Sequence, residues 1–227
     1  FSNLNTLIAL DKKQLPNEEW SSKIESLDWN NFDNKEHRAP IKHGVNAEVL
    51  ILKSEYYLDD LKDIDQYHWW TFGHSKDKGT VMLIKGEGYS IYIDYFNDGY
   101  IRLDDWKDLN PKDLLKQMKD IAKLNETYLK EKKLPYATSI RWIFKPTLNN
   151  ENKSVNYSYG VKWSDGNETF ESKNLILGKK GHIESVVVFN AKDSTDFKYE
   201  SEFSKEFSNT VLFNDGFKHS DYKEGDK

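Results

Sequence analysis

The chain has 227 residues, with 33 Lys and Arg against 38 Asp and Glu for a formal charge of -5. Hydrophobic residues make up only 37 %, yet aromatic ones reach 14 %, with Trp 7, Tyr 13 and Phe 12. That ring content separates the chain from a disordered one. The lack of Cys excludes a thiol nucleophile, a Cys-ligated metal and a disulfide scaffold. No clustered cations offer themselves to a phosphate backbone, and no apolar run approaches the roughly 20 residues that span a bilayer.

The elements follow in chain order. Residues 1–38 read as a polar N-terminal arm anchored by Trp20 and Trp29, with a short helix around Leu4, Leu7, Ile8 and Leu10. Ala47 to Leu52 is an apolar run of strand length. Tyr56 to Trp70 is expected to hold a short helix closed by Gly73. Thr80 to Ile84 is a strand. Tyr89, Ile91, Ile93 and Tyr95 then alternate with Ser90, Tyr92, Asp94 and Phe96, the period of a second strand. Asn97-Asp98-Gly99 turns the chain, and an acidic stretch with Asp104, Asp105 and Asp108 follows. Asn110-Pro111 is a helix start, with the cap and first-turn proline that the exposed N–H groups favour. Leu114, Leu115, Met118, Ile121, Ala122, Leu124, Tyr128 and Leu129 form its broad apolar face, and Pro135 ends it.

Residues 138–190 read as an antiparallel meander. Its clearest strand alternates Val155, Tyr157, Tyr159, Val161 and Trp163 with Asn156, Ser158, Gly160 and Lys162. A second amphipathic helix is expected over Ser194 to Leu212, and the polar tail 218–227 is expected to be loosely attached. A one-faced sheet must cover its apolar side. The expectation is therefore a single α+β domain over 39–217, a mainly antiparallel meander covered by the two amphipathic helices.

Few residues carry chemistry. An EF-hand starting at Asp94 fails because Phe96 takes a ligand position. The acids at Asp104 and Asp105 read as a solvated approach to a helix N-terminus; the alternative is a loose cation site. His68 and His74 flank a turn and lack the spacing of a helical metal motif; they read either as a pair that the turn brings together at a metal or as one half-buried and one exposed imidazole. Gly178-Lys179-Lys180-Gly181 is explained by a hairpin turn, or by an anion held at exposed backbone. Trp142 and Trp163 lie on inward strand faces and read as core. Trp69, Trp70 and Trp106 are open to the surface reading, a glycan or peptide groove.

Tyr95 to Leu115, YFNDGYIRLDDWKDLNPKDLL, resembles the aspartate-rich segment of a bacterial family known as domain of unknown function 2167. The similarity runs on through Trp142 and Pro146, Val161 to Trp163, the Leu177–Gly181 turn and the close from Phe213 to Tyr222. Lys179 departs from the arginine common in the family, and of an Asn-Tyr-Asn motif only Asn174 is present. The strand–helix order also resembles that of the Mog1/PsbP-like sandwich. The resemblance implies an exported domain, with a signal sequence before Phe1 and a membrane helix after Lys227. It carries no catalytic residue.

The favoured expectation is a non-catalytic extracytoplasmic domain that binds a protein or envelope component, with no cofactor, no metal and no nucleic acid. Its membrane contact would be made by segments outside this chain. The candidate surface is Asp98, Tyr100, Asp104, Asp105 and Trp106 beside Lys179 and Lys180. Two rivals stand: an envelope hydrolase or metal-dependent enzyme built on Asp104, Asp105 and His68 or His74, and a glycan-binding module built on Trp69, Trp70 and Trp106.

Overall fold

The computed structural model describes residues 10–30, 35–107, 109–190 and 197–226. The helix expected around Leu4, Leu7 and Ile8 lies outside them, and Leu10 is not helical. Asp108 and residues 194–196 of the expected second helix also fall outside.

A seven-stranded sheet is built from β3 (Tyr56–Leu58), β4 (Thr80–Gly86), β5 (Tyr89–Phe96), β6 (Ala137–Asn149), β7 (Ser154–Trp163), β8 (Glu168–Leu177) and β9 (His182–Asn190). Its order is β3-β4-β5-β9-β8-β7-β6, antiparallel throughout. A smaller antiparallel sheet has the order β1-β2-β10, from β1 (His37–Ile41), β2 (Ala47–Ile51) and β10 (Val211–Phe213). The expected meander is therefore present, and the fold is α+β.

The two sheets share the largest core. Ala39, Ile41, Val49, Ile51, Val211 and Phe213 of the small sheet meet Ile91, Ile93, Phe170, Ile176, Ile183 and Val187 of the large one. Complete burial of a side chain such as Phe170 is worth about 2–3 kcal/mol. The helix α5 (Lys198–Ser208) adds Phe207, Phe203 and the preceding Phe197 to the same core.

The opposite face of the large sheet carries two separate clusters. Near β3 and β4, α1 (Asn17–Glu25) and α2 (Leu61–Phe72) pack Ile24, Ile64, Tyr67 and Trp70 on Leu58 and Leu83, with Trp20 and Trp29 alongside. Asp60 caps α2 by accepting from the N–H groups of Lys62 and Asp63, and Gly73 ends it at φ 73°. Near β6 to β8, α4 (Pro111–Glu131) sets Leu114, Leu115, Met118 and Ala122 against Val155, Tyr157, Tyr159 and Val161. Asn110 caps it by accepting from Lys112 N–H, as its sequence predicts.

Four expectations change. The two amphipathic helices do cover the sheet, but from opposite faces, because Val155 and Tyr157 alternate with residues that are also buried. The apolar face of α4 is broader than its contact: Ile121, Leu124 and Tyr128 are exposed, Leu124 at 80 %. The second helix ends at Ser208, and Val211 to Phe213 pair with β2, since alternate side chains there are wanted by the shared core. β6 continues through Pro146, which an edge strand with bulges tolerates. No helix among the described residues is long and apolar enough to cross a membrane.

Candidate functional site

Three segments distant in sequence converge at one end of the large sheet. β5 leaves the sheet at Phe96, whose strand partner is His182 at the start of β9. The loop that follows is fastened to the β8–β9 turn by Gly99 N–H donating to Lys180 O at 3.0 Å. The turn closes on itself through Gly178 N–H to Gly181 O at 2.8 Å. Only glycine fits at Gly181, where a Cβ would lie 2.0 Å from Phe96 O. The C-terminal segment completes the end. Lys179 N–H donates to Phe217 O at 2.9 Å, and Lys179 Nζ lies 2.9 Å from Asp226 Oδ2. That contact holds the Asp226 carboxyl below its usual range.

Tyr100 is clamped in this arrangement. Its ring stacks on Tyr222 at 3.8 Å and 8°, and on His219 at 4.5 Å. His219 lies in a single 3₁₀ turn, His219–Asp221, and reaches Ile101 O at 2.8 Å. The tail expected to be loose is therefore docked over residues 218–226. Asn97, Gly99, Tyr100, Lys179, Lys180 and Tyr222 surround a hollow of about 390 Å³.

A charged strip leads from this end onto the sheet face between the α2 and α4 clusters. His182 Nδ1 lies 3.2 Å from Asp98 Oδ1, and His182 Nε2 lies 3.4 Å from Glu184 Oε1. Lys173 Nζ lies 2.9 Å from Glu184 Oε2. Asp94 is the strand partner of Glu184, and Tyr159 OH donates to Glu171 at 2.8 Å. Burial pushes the carboxyls of Asp94 and Glu171 up. Burial pushes Glu184 up as well, but His182 and Lys173 outweigh it and the net shift is down. For Lys173 burial pulls down, and the surrounding Tyr157 and Glu184 turn the balance upward. Within the strip His182 and Lys173 each pair with Glu184, while Asp94 Oδ1 is buried without a hydrogen-bond partner.

The remaining candidates are placed elsewhere. Asp104 and Asp105 are exposed at the start of the one-turn helix α3 (Asp104–Lys107), and Asp105 lines a different hollow with Asn110 and Asp113. Trp106 is half-buried, packed beneath α4 with Leu114 and Met118. Thus Asp98, Tyr100, Lys179 and Lys180 come together, while Asp104, Asp105 and Trp106 do not join them. Trp70 is buried and Trp69 half-buried on α2. His68 and His74 approach to 6.1 Å between rings, but His68 is 7 % exposed and neither of its nitrogens has a partner. Burial first, and the neighbouring His74 second, pull the His68 imidazole down to about 4. Among the described residues no group of three His, Asp or Glu is arranged to hold a metal ion. Sequence reasoning missed His182, and its signal was slight: a lone imidazole directly after the turn glycine.

Among solved structures, the chain is similar to the cyanobacterial PsbP of Synechocystis sp. PCC 6803, at 9 % identity and a TM-score of 0.46 over 80 % of this chain and 94 % of that one. It is also similar to the Saccharomyces cerevisiae Ran-binding protein Mog1p, at 7 % identity and a TM-score of 0.38 over 83 % of this chain and 99 % of that one. No curated protein matches the sequence. Residues 27–227 match the model of the family described as protein of unknown function (DUF2167), and the chain belongs to that family.

Proposed function

We propose that the chain is a non-catalytic binding domain of the bacterial cell envelope. In this reading it lies outside the cytoplasm, is tethered to a membrane by a segment beyond these residues, and takes a protein or envelope component at the converged end of the sheet. The observation that carries the binding surface is the fastening of the Asp98–Tyr100 loop to the Lys179–Lys180 turn and to Tyr222. Loops that present polar groups on a braced scaffold are where recognition concentrates. There Asp98 and Lys180 stand exposed with opposite charges, and the Tyr100–Tyr222 stack fixes the surface between them. A surface already set in shape binds without an ordering cost. The envelope setting rests on the resemblance carried by Tyr95–Leu115, and a Cys-free composition is compatible with it.

The test is site-specific photo-crosslinking in membranes of cells carrying the full-length protein. A crosslinker at position 180 is expected to capture one discrete partner. The same group at Asp165, in the turn at the other end of the sheet, is expected to capture none. Equal capture at both positions, or none at position 180, defeats the assignment of this end. Recovery of the full-length protein in the cytosolic fraction defeats the envelope setting.

A further inference from the structure

The face of β7, β8 and β9 beneath α5 is polar where the rest of that face is apolar. Asn156 Nδ2 donates to Asn174 Oδ1 at 2.6 Å, and Asn174 Nδ2 donates to Ser185 Oγ at 3.0 Å and to Ser204 O at 3.1 Å. The hydroxyls of Ser158 and Ser172 meet at 2.8 Å. Buried polar groups persist when they are hydrogen-bonded, and most of this ladder satisfies itself.

Toward β6 the ladder opens into a cavity of about 380 Å³. Its floor is Asn156, Ser158 and Ser172, which are 4, 2 and 2 % exposed. Its roof is Lys198, Ser201, Glu202 and Lys205 of α5, and the half-open ring of Phe144 forms a wall. Here hydrogen-bonding capacity is unused. Ser201 Oγ is enclosed and has no partner. Asn156 is bonded through its amide nitrogen alone, which leaves its carbonyl oxygen open. Glu202 and Lys205 form no ion pair among the described residues.

We propose that this cavity binds a single sugar residue. A sugar hydroxyl both donates and accepts, which matches a floor and roof that offer an amide oxygen and serine hydroxyls together. The Phe144 ring supplies an apolar face for the C–H side of a pyranose. Glu202 can accept from a sugar hydroxyl and Lys205 can donate to one. The volume lies at the small end of ligand pockets. This site is distinct from the converged loop end, and neither assignment depends on the other.

The test is saturation-transfer NMR and thermal shift on the 227-residue chain with glucose, N-acetylglucosamine and chitotriose. Saturable binding by at least one is expected. A monosaccharide that binds identifies a free sugar, and binding by chitotriose alone identifies the end of a glycan. Ser201→Ala is expected to fold unchanged, because its hydroxyl has no partner, and to weaken binding about tenfold. Ser201→Phe is expected to fill the cavity and abolish binding. No saturable binding by any of the three, or binding unchanged in Ser201→Ala, overturns the proposal. The Ser201→Ala result stands alone should Ser201→Phe fail to fold.

Discussion

His182 holds Asp98 at 3.2 Å across the gap between the start of β9 and the loop that follows β5. This contact ties the charged strip on the sheet face to the candidate binding end. Burial alone would lower the imidazole pKa, but Glu184 and Asp98 outweigh it and the net shift is upward. A histidine raised above its unfolded value of about 6.5 stabilises the fold fully below that pH, and the contribution is lost as pH rises through the folded value. Asp98→Asn is therefore expected to lower the His182 titration midpoint, followed by NMR of the ring protons. It is also expected to flatten the alkaline side of the stability profile. A midpoint that does not move would show that Asp98 does not hold the ring.

His68 behaves in the opposite sense. Its ring is enclosed by Tyr67, Phe72 and Tyr92, and both nitrogens lack partners. With a folded pKa of about 4 against about 6.5 unfolded, its titration contributes nothing above pH 6.5. Between pH 6.5 and 4 the unfolded chain takes up the proton and the folded chain does not, so stability falls by about 3 kcal/mol across that window. His68→Phe is expected to remove this acid limb. It is also expected to stabilise the protein by about 1 kcal/mol at pH 7, since no buried nitrogen is left unsatisfied. Urea denaturation at pH 7 and pH 5 separates the two effects. An acid limb that survives in His68→Phe would assign it to another group.

The parts of the fold legible in the sequence are those set by local periodicity. β5 and β7 show period two, and Asn110-Pro111 announces α4. What was not legible depends on the second side of the sheet. Asn156 and Ser158 alternate with Val155, Tyr157 and Tyr159, so the strand reads as half-solvated, yet both polar residues are buried beneath α5. A polar residue that is satisfied by a neighbouring strand looks, in sequence, the same as one facing water. Val211 likewise continues the helix face of Phe203 and Phe207 and equally begins a strand with Phe213, and only the place left beside β2 decides. At the candidate site, the sequence groups Asp98 and Tyr100 with the Lys179–Lys180 turn, but with Asp104, Asp105 and Trp106 as well, and no local pattern separates the two sets. The meeting of Asp98 and Tyr100 with that turn follows from β5 lying next to β9, a pairing between residues more than 80 positions apart.

Tyr222 anchors the C-terminal segment by stacking on Tyr100. Such a pair contributes about 0.5–1.5 kcal/mol beyond the area it buries. Tyr222→Ala is expected to destabilise the domain by about 1 kcal/mol and to release residues 218–226 to proteolysis, with cleavage mapped by mass spectrometry. Tyr100→Ala is expected to give the same cleavage pattern, because each ring is the other's support. Intact tails in both variants would show that the Lys179 contacts hold the segment without the stack.

Gly181 and Gly99 sit on the two sides of the same hydrogen-bonded junction but tolerate substitution differently. At Gly99 a Cβ meets open space, and the cost is conformational, since φ is +94°. Gly99→Ala is expected to cost about 1–2 kcal/mol. At Gly181 a Cβ would fall 2.0 Å from Phe96 O and 3.0 Å from Asn97 Cα, both main-chain atoms that a side-chain adjustment does not move. Gly181→Ala must push β5 and the turn apart, breaking the junction that places Asp98 beside His182. It is expected to cost about 3 kcal/mol or more, in the range reserved for backbone clashes in packed regions. It is also expected to shift the His182 ring resonances, which Gly99→Ala is not. Thermal unfolding and the His182 NMR signal read both variants, and a Gly181→Ala protein as stable as Gly99→Ala would mean that the turn does not brace the loop.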